Sequence, residues 1–497
     1  MKNGFWRSIG KVPVLMLAVA VGPVALADGT AIESVPADGS AARTASAIPS
    51  TDPTPNNSAP IRLIAMDSSL TDPTNVPPAP PGAAVAAPAY APACGPTCAP
   101  TCDSSCCPSE GLFSHSCLCN SCCGNGATFQ FSPNAWCNVG AGIRTSFNHE
   151  IGDNVGDKNF FAVDEVRLFF TGKVTQVIGF ELNTDISGAG GRGFADSAGD
   201  INNLQDSIHL LDAIVKFEFN DYVNFWMGRF LPPNDRADLD GPFFINGWDY
   251  PFVSNFPGQF EGRDTGAAYW GQYGGGQLKW QIGLFNGQGR FNGGNDWPIG
   301  NAATSPNLTG NPELVARVVL NLLDPEPGYY NSSTYYGEKN ICAIGASVTD
   351  QTDAIEDVNG RVGTFFGYDI DFLLENKMTA WGSGTFEAAY YHYDVGGGVQ
   401  NGVAGNAGFI FAGWLLPQEI GCGGVCGRIR PYARWQKYDY DDAQFAAAAG
   451  EFREGWDAGF QYVIKGHNAR FDVFYGQREV EGGGNVDIFR TGMQLIF

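Results

Sequence analysis

Beyond its first 27 residues the 497-residue sequence has no apolar run long enough to cross a bilayer as a helix. Any membrane residence must therefore be built from strands, whose alternation of apolar and polar residues leaves the mean hydropathy unremarkable, as it is here. Histidine is scarce: His115, His149, His209, His392 and His467 lie far apart, with no ligand spacing. Neither a nucleophile elbow nor a phosphate-binding loop occurs. Those absences speak against an enzyme, and no catalytic residue, metal or cofactor is expected. Positive charge is short as well, 29 Lys and Arg against 52 Asp and Glu for a formal charge of -23. Such an acidic balance argues against nucleic acid as a partner.

What is present begins with an export signal. Lys2, Arg7 and Lys11 precede the apolar run Val12 to Leu26, interrupted by Pro13 and Pro23, and Ala25-Leu26-Ala27 is a small-x-small cleavage pattern. Residues 1–27 read as a signal peptide; its removal takes away three positive charges and no negative ones, so -23 becomes -26. Residues 28–93, rich in Pro, Ala, Ser and Thr, bury too little apolar surface to offset their ordering entropy and are expected to be a disordered spacer. Nine of the thirteen cysteines then crowd between Cys94 and Cys123, in a segment taken as 94–128. Pro96 and Pro100 break any helix there. After export, disulfides within or between chains are the default; zinc is the other reading, with His115 the one histidine nearby. Such an arm suits a crosslinked collar or a tether to disulfide-linked envelope partners. Cys422 and Cys426 flank a turn and are expected to form a loop disulfide.

From residue 129 to 497 the pattern changes to segments of about ten alternating residues separated by turn residues, the signature of a transmembrane antiparallel β-barrel. Phe366, Tyr368, Ile370, Phe372 and Leu374 alternate with Asp369, Asp371 and Glu375; Leu211, Ala213, Val215, Phe217 and Phe219 oppose Asp212, Lys216 and Glu218. Repeated charges on the second face suit a wet lumen and not the apolar core of a sandwich. The segments number about 16 between Ala135 and Phe497, with about 14 and about 18 as neighbouring counts. In the last strand Phe489, Met493, Leu495 and Phe497 share one face and Arg490 and Gln494 the other. This resembles the closing strand of bacterial outer-membrane barrels, in which those apolar positions are the membrane-insertion signal. Trp136, Phe160, Tyr222, Trp226, Tyr269, Trp270, Trp381, Trp414 and Trp435 are candidates for the interfacial girdles.

Five short motifs recur in a telling order: Phe169-Phe170-Thr171-Gly172-Lys173-Val174, Gly228-Arg229-Phe230 before Pro232-Pro233, Gly262-Arg263-Asp264-Thr265-Gly266, Leu284-Phe285-Asn286-Gly287 and Ala316-Arg317. With the closing strand they resemble the phosphate-selective porin O and P family over about residues 130–497. The resemblance implies a homotrimer of sixteen-stranded barrels in the lipid bilayer of the cell outer membrane, each with a long loop folded inward to narrow the pore. Leu231 to Gly262, apolar and proline-rich, is the natural constriction loop, with Asp235, Arg236, Asp238, Asp240, Asp249 and Glu261, and Arg263 just beyond it. Family members of this kind are known for basic eyelets, whereas this loop is net acidic. Arg428, Arg430 and Arg434 form a ladder on one strand face, and Arg229, Arg317, Arg167 and Lys216 are further pore-lining candidates. Charge of opposite sign on wall and loop suits passive diffusion of small hydrophilic solutes and ions, with selectivity for anions such as phosphate as the narrower reading. The alternative is a blocked barrel that anchors an envelope layer through the cysteine-rich arm.

Overall fold

The computed structural model describes residues 126–152, 156–185, 208–254, 262–287, 290–292, 310–356, 361–378, 380–396, 399, 404–421, 425–443 and 451–497. The expected signal peptide and spacer, and nearly all of the cysteine-rich segment, lie outside them. The strands, in chain order, are β1 (Ala127–Ser132), β2 (Ala135–Gly152), β3 (Gly156–Lys173), β4 (Ile178–Asp185), β5 (His209–Glu218), β6 (Asn224–Phe230), β7 (Asp264–Tyr273), β8 (Leu278–Phe285), β9 (Arg290–Asn292) and β10 (Glu313–Asn321). They continue as β11 (Ile341–Glu356), β12 (Val362–Met378), β13 (Gly382–Val395), β14 (Gly405–Leu415), β15 (Glu419–Ile420), β16 (Gly427–Tyr440), β17 (Phe452–Lys465), β18 (Ala469–Val480) and β19 (Asn485–Ile496).

Sixteen of these close into one antiparallel barrel: β2 to β8, β10 to β14 and β16 to β19. Each pairs with its neighbour along the chain, β8 passes directly to β10, and β19 pairs with β2 from Val486↔Gly152 to Ile496↔Gly142. Ala141 and Phe497 exchange backbone hydrogen bonds of 2.8 and 2.9 Å at that seam. Closure leaves no row of unpaired N–H and C=O groups to face hydrocarbon, the condition for a sheet to live in lipid. Short β1 extends the ladder of β2 where β19 stops, and β15 does the same for β16.

The alternating pattern sorts by face. Phe366, Tyr368, Ile370 and Leu374 are exposed on the outer wall of β12, while Asp369, Asp371 and Glu375 are buried inside. In β19, Phe489, Met493, Leu495 and Phe497 lie on the outer row, and Arg490 and Gln494 are buried in the lumen. Two expectations change. Trp226 and Trp270 are not girdle residues: their parity turns them inward, where both pack against Tyr329. Leu211 sits at an irregularity where Asn183↔Asp212 gives way to Thr184↔Leu210, which turns it from the outer row into a buried position.

The connections 174–177, 219–223, 274–277, 379–381 and 466–468 are short and lie at the end that carries Phe497; the long connections 186–208, 231–263 and 286–312 lie at the other. Short turns face the periplasm in bacterial barrels, so the end bearing Phe497 is the periplasmic one. Residues 322–340 break the rule, being a long connection on the short side.

Ile370, at mid-height and half exposed, tests the inside-out arrangement. Ile370→Lys is expected to cost about 2–4 kcal/mol, measured by urea unfolding from liposomes. A cost near zero would mean that this row faces water.

Candidate functional site

The lumen is crossed by residues 231–254, the described first part of the connection between β6 and β7. Every residue from Leu231 to Asp240 is buried, including a single helical turn, α1 (Arg236–Leu239). Folding inward solves the problem of a loop too apolar to lie in water. Its aromatic side chains fit where the wall is bare. Phe243 lies where a Cβ on Gly142 would meet it at 2.6 Å, and Trp248 where a Cβ on Gly492 would meet it at 2.5 Å. The guanidinium of Arg144 lies 4.0 Å from the Trp248 ring centroid, close enough for a cation–π contact.

Inside the barrel the loop backbone has no neighbouring strand, so its carbonyls need other donors. Wall side chains supply them. Gln494 Nε2 donates to Phe243 O at 3.0 Å, Arg470 Nη1 to Ile245 O at 3.1 Å and Gln461 Nε2 to Asn246 O at 2.7 Å. Arg470 Nη2 donates to Gly247 O at 3.2 Å, Arg144 Nη2 to Trp248 O at 2.5 Å and Arg434 Nη1 to Asp249 O at 2.6 Å. Five consecutive carbonyls, 245 to 249, are thus held from four different strands. Arg430 joins them, donating to the Asn246 side chain at 2.5 Å and to Gln461 at 2.9 Å.

A second inward segment meets this loop from the periplasmic end. Residues 322–340 carry Glu326, whose carboxylate accepts both terminal nitrogens of Arg236, at 2.8 and 2.7 Å. Arg236 Nη1 also donates to Ser332 O at 2.8 Å, Asn331 to Asp240 at 2.8 Å, Asn246 to Ser333 O at 2.8 Å and Tyr329 Oη to Leu231 O at 3.0 Å. Ser333 Oγ lies within hydrogen-bond reach of the Asp240 carboxylate and, at 2.7 Å, of that of Glu387. The wall holds this segment as it holds the loop. Gln281 and Lys279 donate to Tyr329 O and Tyr330 O at 2.7 and 3.2 Å, and Glu375 accepts the amides of Tyr335 and Gly337 at 3.1 and 2.7 Å. Burial alone would raise the Glu326 carboxyl; the Arg236 charge and its hydrogen bonds, with help from Lys279 and Tyr335, bring it down to about 2. Asp240 is raised, first by burial and then by the neighbouring Glu387 charge.

The residues singled out from the sequence fall into three groups. Asp235, Arg236, Asp240, Asp249, Arg430 and Arg434 meet at the loop. Asp235 accepts from Ser254 at 3.1 Å and Tyr391 at 2.6 Å, Asp249 accepts from Arg490, and Arg434 pairs with Asp457 at 2.6 Å. Asp238 is buried beside Gly262. Around the wall, Arg317 pairs with Asp371 at 2.6 Å, Arg263 with Asp212 at 3.0 Å, Arg167 with Glu165 at 3.0 Å and Lys216 with Glu181 at 2.5 Å. The rest lie apart. Arg428 lines the periplasmic cavity, and Arg229 shares the ladder row of Met227 and Thr265, which is the outer row of β6 and not the lumen wall. Glu261 lies outside the described residues, as does Cys422, while Cys426 is a free, exposed thiol.

Sequence reasoning missed Arg144, Arg470, Gln461, Gln494 and the whole of 322–340. The run Tyr329-Tyr330-Asn331-Ser332-Ser333-Thr334-Tyr335-Tyr336 was the available signal, since it is too long and too aromatic for a periplasmic turn.

Two outcomes test this geometry. Gly492→Val drives a branched side chain into Trp248 and is expected to cost about 1–3 kcal/mol, read as a shift in tryptophan fluorescence and faster proteolysis within 231–263. Glu326→Gln leaves Arg236 without its closest carboxylate and is expected to cost about 3–5 kcal/mol at neutral pH. Because this carboxyl titrates near 2 when folded and near 4.5 when free, that difference is full above pH 4.5 and fades as pH falls toward 2. Urea unfolding of parent and variant across this range measures it.

The family model described as phosphate-selective porin O and P matches residues 137–308. Comparison with curated protein sequences gave no match. Among solved structures, the chain is similar to the outer membrane channel DcaP of Acinetobacter baumannii, at 15% identity over 75% of this chain and 99% of that one, with a TM-score of 0.43. OprB of Pseudomonas putida is 10% identical over 73% and 94%, TM-score 0.47, and OmpF of Salmonella typhi 11% over 73% and 98%, TM-score 0.44. The family match spans most of β2 through β9 together with the inward loop, so the resemblance read from the sequence is borne out over that stretch.

Proposed function

We propose that this chain is an outer-membrane porin that passes small hydrophilic solutes by passive diffusion with weak preference between cations and anions. The observation that carries the reading is that four cations at the constriction meet partners of opposite sign: Arg236 with Glu326, Arg490 with Asp249, Arg434 with Asp457, Arg317 with Asp371. Pores select ions through rings of charge and through radius, and charge satisfied pairwise leaves radius as the main filter. Arg430 and Arg144 make no ion pair among the described residues, yet both are committed to loop oxygens and are not free for a passing anion. A phosphate-selective eyelet needs basic groups open to solute, and the net acidic loop works against one. The assembly proposed is a homotrimer, as the family resemblance implies. The anchoring alternative rests on the cysteine-rich arm, which lies outside the described residues.

Planar-bilayer recording tests the proposal. The expected result is stepwise ohmic conductance, a reversal potential near zero in a KCl gradient, and no block of chloride current by added phosphate. Arg430→Ala is expected to make the current noisier, by loosening the loop, with little change in reversal potential. A strongly anion-selective current blocked by phosphate would overturn the weak-preference reading. A folded, silent barrel that runs as reducible multimers would favour the anchor.

A further inference from the structure

The constriction loop enters the bore from the end opposite Phe497. Here the turn after β10 also enters, from the periplasmic end, and makes a fully buried, two-pronged charged contact with the loop. Glu326 grips Arg236 with two nitrogen–oxygen contacts, Tyr335 Oη donates to the same carboxylate at 2.7 Å, and both members of the pair are fully buried. Backbone joins backbone as well, through Ser333 N to Phe244 O at 3.2 Å. His467, in the turn between β17 and β18, touches both segments, its Nδ1 3.1 Å from Phe243 O and its Nε2 2.9 Å from Thr334 O. The wall arginines hold residues 245–249; the stretch 231–244 is held chiefly by this second segment. Beneath the joint, a cavity of about 530 Å³ opens at the periplasmic mouth, lined by Phe244, Tyr335, Tyr336 and Glu338 among others. The segment therefore has room on its periplasmic side into which to withdraw.

We propose that residues 322–340 are a periplasmic gate: they set the position of the constriction loop through the Arg236–Glu326 pair, and their withdrawal into the periplasmic cavity widens the pore. Two features follow. Opening breaks the segment's bonds to the loop and to Gln281, Lys279 and Glu375 but leaves the barrel ladder on either side, β10 with β8 and β11 with β12, intact. The gate also answers to the periplasmic side, since Tyr335, Tyr336 and Glu338 line the cavity at the periplasmic mouth. Glu338 there is exposed and belongs to no part of the joint. Glu326 is thus a positioning residue for permeation and not a group that solute needs to touch.

This inference rests on the porin reading, and the test separates the two. Parent, Glu326→Gln, the milder Asn331→Ala and the control Glu338→Gln would each be reconstituted, with folding verified by heat-modifiable mobility. Single-channel recording and liposome swelling in sugars of increasing size then read open probability and size limit. Glu326→Gln is expected to raise open probability about tenfold or more, the scale on which a lost state-specific contact shifts a two-state equilibrium, and to admit larger sugars. Asn331→Ala should move both in the same direction by less, and Glu338→Gln should match the parent. If the parent conducts and Glu326→Gln matches it in both measurements, the gate is overturned while the porin reading stands. If every folded variant is silent in both assays, both fall.

Discussion

A polypeptide that leaves its sheet and re-enters the lumen carries backbone N–H and C=O groups with no ladder to join, and in a filled interior each must be answered. That constraint organises this protein. Residues 245–249 have their carbonyls bonded by Arg470, Gln461, Arg144 and Arg434; in the second segment the carbonyls of Tyr329 and Tyr330 are answered by Gln281 and Lys279, and the amides of Tyr335 and Gly337 by the Glu375 carboxylate. The donors stand on β2, β8, β16, β17 and β18, so the inner segments are braced against much of the circumference. Long cationic side chains suit the task, since a guanidinium offers several donors in one plane and reaches across the gap from a wall strand.

The same bracing changes what the wall charges mean. A row such as Arg428, Arg430 and Arg434 looks like a field for solutes when read along one strand. In the folded barrel Arg430 and Arg434 are turned toward Asn246, Asp249 and Asp457, and Arg428 alone reaches the open periplasmic cavity. Charge that builds the constriction is largely unavailable to attract ions through it. The bore then depends on where two chain segments sit, and the contact between them, Arg236 with Glu326, is buried deeply enough that losing either member leaves the other without adequate compensation.

Part of this was legible in the primary structure because strand parity is local. The oily row of β12 and the closing row of β19 follow from residues two apart, and both came out on the outer wall as read. The inward loop was legible for a similar reason: its density of Phe, Trp and Pro cannot rest in water. Parity fails where register slips by one, as at Leu211, and girdle assignments fail where proximity to a strand end outweighs parity, as for Trp226 and Trp270.

By itself, then, the sequence determined that the chain closes a barrel with a wet inside and an oily outside, and that the stretch after β6 turns inward, because alternation and apolar content are written residue by residue. Which partner each lumen charge takes was decided only by the tertiary structure. Arg236 and Glu326 are ninety positions apart, Arg470 and Gly247 more than two hundred, and no local rule relates them. They meet because barrel closure brings wall strands from distant parts of the chain around one small volume, where two segments entering from opposite ends compete for the same buried donors and acceptors.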